Sequence, residues 1–158
     1  MAADEAADSY VQLYRAHYPR LVQVLVLTGA RRDDAEDVAQ EAFARTLSRW
    51  RRVRTGSNPP GYVYRVAFRL LRRAQPHLVG DGHAPSPAVA AADDAVVLHT
   101  SLEQAFAGLP PRQRTCALLC LLLGYTSEDA GSVLGIRAST VRKQVELARR
   151  SLRQRLTT

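Results

Sequence analysis

The sequence predicts an all-α fold made of two small helical domains joined by a flexible linker, and three observations predict it. Apolar residues recur at helical spacing along most of the 158 residues. No sustained two-residue alternation marks a half-buried strand. Between residues 75 and 100 the periodicity stops and Pro, Gly, Ala, Asp and His take over, which reads as a linker. The expected division is residues 1–74, a linker over 75–100, and residues 101–158, with the two units folding separately and tethered rather than packed.

Each element follows from its own signals. A first helix is expected over residues 10–27, kinked near Pro19 and stopped at Thr28-Gly29. A second begins after Arg32, with Asp33 as its cap, and runs to about Trp50; Ala35, Val38, Ala39, Ala42 and Phe43 share one face and Asp34, Asp37 and Glu41 the other. Residues 54–60, rich in Gly, Ser, Asn and Pro, form a loop that primes the next helix at its first turn. There Val63, Val66, Ala67, Leu70 and Leu71 make a core stripe, and the reverse face carries Arg65, Phe68, Arg69 and Arg72, an aromatic among arginines on the wet side. Tyr62 and Tyr64 flank the stripe.

The linker is expected to carry helical turns only around residues 88–98. After it, a helix over 102–109 precedes Pro110-Pro111, which starts an apolar helix to about Leu123 that Gly124 ends. Ser127 can cap a short helix to Leu134, residues 135–138 form a turn, and Ser139 can cap a last helix to about Leu156. Val141, Val145, Ala148 and Leu152 form its buried stripe; Arg142, Lys143, Glu146, Arg149, Arg150 and Arg153 cluster opposite. Two helices joined by a Gly-containing turn, the second basic, make the helix-turn-helix pattern.

Charge sorts by segment. Residues 1–44 are net −4, residues 45–73 net +9 with no acid at all, residues 74–109 net −4 and residues 110–158 net +6. Two basic blocks separated by an acidic spacer imply two contact sites on one polyanion. Exposed aromatics among arginines suit single-stranded nucleic acid, where bases stack on rings and guanidinium groups hold the backbone. In the last helix Ser139, Thr140, Arg142 and Lys143 are placed to reach base edges, and Arg149, Arg150 and Arg153 to meet phosphates.

Other chemistry finds no support. Cys116 and Cys120 lie four apart in an apolar run and read as buried thiols; the acidic run at 33–37 has no histidine partner and suits a helix start. No phosphate loop, catalytic triad or metal signature is present, so no cofactor and no metal is expected. The N-terminus has no basic n-region or apolar h-region, and no apolar run approaches the roughly 18 residues of a membrane span. A cytoplasmic protein without membrane insertion is the expectation.

With these pieces in place the chain resembles the bacterial extracytoplasmic-function sigma factors, the smallest members of the sigma-70 family. LYRAHYPRLV at 13–22, DAEDVAQEAF at 34–43 and Trp50 are similar to the family's region two; LPPRQR at 109–114 and LGIRASTVRKQVELARRSLRQRL at 134–156 resemble region four. The resemblance implies a promoter-specificity subunit that partners core RNA polymerase and promoter DNA and leaves room for an anti-sigma factor. It implies polymerase docking through Asp34, Asp37, Gln40 and Glu41. Minus-ten recognition and opening fall to Asn58, Tyr64, Arg65, Phe68, Arg69 and Arg72, and minus-thirty-five recognition to Arg137, Ser139, Thr140, Arg142, Lys143, Arg149 and Arg150. One departure stands out: where members commonly show Ala-Arg-Asn, this chain has Ala67-Phe68-Arg69, so its minus-ten preference is its own. The rival readings are a stand-alone helix-turn-helix regulator of duplex DNA and a protein-interaction adaptor with incidental basic faces.

Overall fold

The computed structural model describes residues 1–79 and 101–157, and every regular element among them is helical. The first helix, α1 (Ala2–Leu27), starts earlier than the sequence suggested and passes through Pro19 without a break. Pro19 is exposed, so the backbone bond it cannot donate is lost on the solvent side, where water substitutes. The added N-terminal turns are held from outside the helix by Trp50, whose Nε1 donates to the Ala6 carbonyl at 2.7 Å; next to them the Tyr10 hydroxyl donates to the Phe43 carbonyl at 3.0 Å.

Helix α2 (Arg32–Ser48) has Arg31 at its N-cap with no side-chain cap; Asp33 lies inside the first turn, where it and Asp34 face the positive end of the dipole. The expected run to Trp50 is interrupted, because Arg49 leaves helical geometry (φ −119°, ψ 20°) and α3 (Trp50–Val53) is a separate turn. Helix α4 (Pro59–Ala74) begins at its two prolines, and the Asn58 side chain accepts from the Gly61 amide at 3.0 Å. A last short turn, α5 (Pro76–Val79), follows it. Leu21 and Leu25 of α1, Ala39 and Phe43 of α2 and Val63, Ala67 and Leu71 of α4 meet in a fully buried core. Three tyrosines of α1 ring Phe43 there, with centroids 6.4 Å (Tyr10), 5.0 Å (Tyr14) and 6.0 Å (Tyr18) away.

The second unit contains α6 (Ser101–Ala107), α7 (Pro111–Ala117), α8 (Ser127–Leu134) and α9 (Ala138–Thr157). After α7 the chain takes one π turn, Leu118–Leu122, which shifts the register so that Leu118 and Leu119 are buried while Leu121 and Leu122 reach the surface. Thr126, one residue before the expected Ser127, caps α8 by accepting from the Asp129 amide at 3.0 Å. Ser139 likewise sits inside the first turn of α9 rather than ahead of it.

The expectation of tethered, unpacked units is corrected. Helix α4 packs on α8, α5 on α7 and α1 on α6. One apolar cluster runs unbroken from Leu21, Phe43, Phe68 and Leu71 through Leu78 to Leu119, Val133, Leu134 and Val141. The residues just after α4, assigned to the linker from sequence, already contribute to this seam: Leu78 is buried and its carbonyl accepts from Thr115 Oγ1 at 3.1 Å. The turns expected around residues 88–98 lie outside the described residues. Among the described residues, no helix is long and apolar enough to cross a membrane.

Candidate nucleic-acid and polymerase interface

Helix α9 presents its basic face without obstruction. Val141, Val145, Ala148 and Leu152 anchor it, and Arg137, Ser139, Arg142, Lys143, Arg149 and Arg150 are exposed, with Thr140 half-buried. The approach of α8 to the turn is close: a Cβ on Gly131 would lie 2.6 Å from the Ile136 carbonyl oxygen, so the small residue is required by the turn itself. Arg142 Nη1 pairs with Glu128 at 3.2 Å, but both side chains are more than half exposed, so the pair is weak and leaves the guanidinium accessible. Arg150 stands in a similar loose pair with Glu146 at 3.5 Å.

Helix α4 differs. Phe68, expected on the wet side, is fully buried, and Tyr64 is 4% exposed. The reason is geometric: α4 carries two apolar rows. Val63, Ala67 and Leu71 face the core of the first unit, while Tyr64 and Phe68, one helical turn apart, lie between two cross-unit contacts in the same row. Gly61 accepts from the Tyr125 hydroxyl at 3.3 Å and Arg72 donates to the Leu134 carbonyl at 2.8 Å. Of the other predicted minus-ten residues, Arg69 is exposed, Arg65 half-buried and Asn58 exposed while serving as the cap of α4.

Beside this seam opens a cleft of about 740 Å³, walled by Arg20, Arg49, Arg52 and Arg65 and, from the second unit, by Tyr125 and Asp129. Arg20, Arg49 and Arg52 come from α1 and the approach to α4, and no periodic pattern in the sequence groups them with Arg65. Burial and the neighbouring Arg20 hold His17 below the usual histidine range, so the ring is neutral near pH 7. Burial raises the phenols: Tyr64 titrates above its ordinary range and Tyr125 is pushed up to about 12.

On α2, Asp37, Gln40 and Glu41 are exposed, with Glu41 in a surface pair with Arg45 at 2.9 Å. Asp34 departs from that row, being half-buried and accepting from Gln75 Nε2 at 3.0 Å. Among the described residues, no group of three His, Cys, Asp or Glu side chains is placed to hold a metal. Cys116 and Cys120 are free, and burial pushes the Cys116 thiol up to about 12, which keeps it protonated and unreactive.

Comparison with known proteins names the architecture. The family model for sigma-70 region 2 matches residues 13–75, and that for sigma-70 region 4 matches residues 99–152. The chain is 28% identical to the ECF RNA polymerase sigma factor SigE of Mycolicibacterium smegmatis, over 97% of this chain and 64% of that protein. It is 27% identical to SigM, also an ECF RNA polymerase sigma factor, of Mycobacterium tuberculosis, over 96% of this chain and 80% of that one. The chain belongs to the sigma-70 family, as an ECF sigma factor. It spans just under two thirds of the SigE relative's length. A solved structure of similar fold is the sigma factor RpoE of Bartonella quintana in complex with the anti-sigma factor NepR, with a TM-score of 0.64 at 20% identity, covering 95% of this chain and 98% of that one.

Within this sigma factor, the region-two match runs from Leu13 in α1 through α4, and the region-four match takes in α6 to α8 and most of α9. Sequence reasoning missed Arg114 of region four altogether. The residue is 2% exposed, and its guanidinium donates to the carbonyls of Thr28 at 2.8 Å, Leu109 at 2.9 Å and Ala107 at 3.2 Å. It stands in the LPPRQR run that carries the resemblance, but neither charge nor period distinguishes it from a surface arginine.

Proposed function

We propose that this sigma factor binds core RNA polymerase in the cytoplasm and directs it to promoters, with region four reading the minus-thirty-five duplex and region two capturing the minus-ten strand. The observation that carries the reading is the occurrence, in order, of both sigma-70 regions over residues 13–75 and 99–152. The exposed basic face of α9 supports duplex reading: its N-terminal residues Ser139, Thr140, Arg142 and Lys143 enter the major groove, and Arg149 and Arg150 meet phosphates. The arginine-walled cleft and α4 hold the single strand, through Arg65, Arg69 and Arg72 with Arg20, Arg49 and Arg52 beside them. Asp37, Gln40 and Glu41 form the polymerase-facing row, and Asp34 enters it if Gln75 releases its carboxylate.

No covalent step is assigned to any residue; capture of unstacked bases supplies the energy of opening. An anti-sigma factor is a further partner, as for the Bartonella protein of similar fold. A stand-alone duplex regulator is not favoured, because it leaves the region-two match without a role. Run-off transcription with purified core polymerase on a promoter library tests the proposal. The expected result is initiation dependent on this chain and lost with the Asp37→Arg, Glu41→Arg double variant; initiation and core binding indifferent to the chain would refute it.

A further inference from the structure

We infer that two reciprocal arginine caps latch regions two and four together in the free protein, in a closed form that withholds α4 from DNA. The inference rests on the minus-ten reading of α4. A helix ends with carbonyls that have no partner within it and that carry the negative end of its dipole. Here each unit supplies an arginine to such an end in the other. Arg114 of region four donates to the carbonyl of Thr28, the C-cap of α1, at 2.8 Å. Arg72 of region two donates to the carbonyl of Leu134, the last residue of α8, also at 2.8 Å.

Both capped carbonyls precede a glycine in the left-handed region, Gly29 (φ +110°) and Gly135 (φ +70°). A Cβ on Gly29 would lie 2.8 Å from Arg114 Nη1, and one on Gly135 would collide with Arg72 Nη1. Each glycine thus ends its helix and leaves the space its arginine occupies.

The two caps hold closed what region two needs open. Phe68 has no exposed surface in this arrangement, and Asp129 of region four stands in the wall of the arginine cleft, where a phosphodiester would otherwise lie. Arg72 cannot hold the Leu134 carbonyl and a DNA phosphate in one geometry, so strand binding and latching compete for the same guanidinium. Closure also has a cost. Among the described residues the Tyr64 hydroxyl and His17 Nδ1 are buried without a hydrogen-bond partner, a penalty that opposes closure.

The test uses the full-length free protein and gives Arg72 opposite signs under the two explanations. Strand affinity is read by fluorescence anisotropy with a labelled single strand of about 12 nucleotides at fixed salt, and compactness by X-ray scattering. If the caps latch the units, Arg72→Ala increases the radius of gyration and raises strand affinity about tenfold, despite the lost phosphate contact, and Arg114→Met does the same from a position remote from the cleft. Lower affinity in Arg72→Ala at unchanged radius makes Arg72 a DNA contact only and overturns the latch. Arg72 is exposed, so its variant decides the matter even if circular dichroism shows that Arg114→Met has lost its fold. Expansion of both variants with no gain in strand binding supports the latch and overturns the minus-ten reading of α4 instead.

Discussion

Helices α4 and α9 begin from similar material, an apolar stripe backed by arginines, and end in opposite situations. On α9 the reverse face contains no residue that gains by burial, so it stays in water with its charges exposed or in loose surface pairs. On α4 the reverse face is interrupted by Tyr64 and Phe68, and that aromatic row draws a second helical layer onto it. Fully burying a phenylalanine is worth about 1.5–3 kcal/mol, enough to help decide which surface faces which. One large apolar residue in a basic face changes it from a surface for a partner into a surface for the protein's own other half.

The contrast is broken most forcefully at Phe68. As a residue with no exposed surface, Phe68→Ala is expected to cost about 3–5 kcal/mol of unfolding free energy in chemical denaturation. A loss below about 1 kcal/mol would return Phe68 to the solvent-facing role that the sequence suggested. Arg142→Ala should behave in the other way. Removing a base-reading arginine costs about 1–3 kcal/mol of duplex affinity and relaxes specificity at one position. Stability should move by no more than about 0.5 kcal/mol, since its pair with Glu128 is exposed. Titrations on duplex DNA alongside thermal melts distinguish the two effects.

Asn58 lies between these extremes because it caps α4 while facing the arginine cleft. Asn58→Ala should lose about 1 kcal/mol of stability as a cap. Asn58→Asp keeps the cap; if strand binding falls in the alanine variant and recovers in the aspartate one, the residue acts through α4 rather than through DNA. The smallest effect is expected at His17. Its folded-state value is lowered, so the unfolded chain binds the proton more readily; the stability it contributes is complete above the ordinary value of 6.5 and is lost as pH falls through the lowered one. Melting temperatures of the parent and His17→Gln between pH 7.5 and 5 should diverge only at the acid end.

Much of this was legible in the residues. The helical period located every long helix among the described residues, and the prolines and glycines placed most ends. At α8 the start was misplaced by one residue, Ser127 for Thr126, because adjacent hydroxyls offer equally good caps; at α2 the N-cap falls ahead of Asp33, on Arg31, which offers no side-chain cap, and only backbone geometry sets that boundary. The π turn after Ala117 left no signal in a run of leucines that suits any helical register.

What the sequence determined by itself is therefore local: an all-α chain, the stripe on each helix, the helix-turn-helix and the basic blocks, all consequences of interactions within a few residues. Only the tertiary structure decided that the two units pack, that Phe68 lies inside, and that Arg72 and Arg114 reach across to the carbonyls of Leu134 and Thr28. Those contacts join residues 62 and 86 positions apart. A periodic pattern tells which face of a helix is apolar, but the identity of the surface that covers it depends on how distant segments meet, and that is written in no window of the chain.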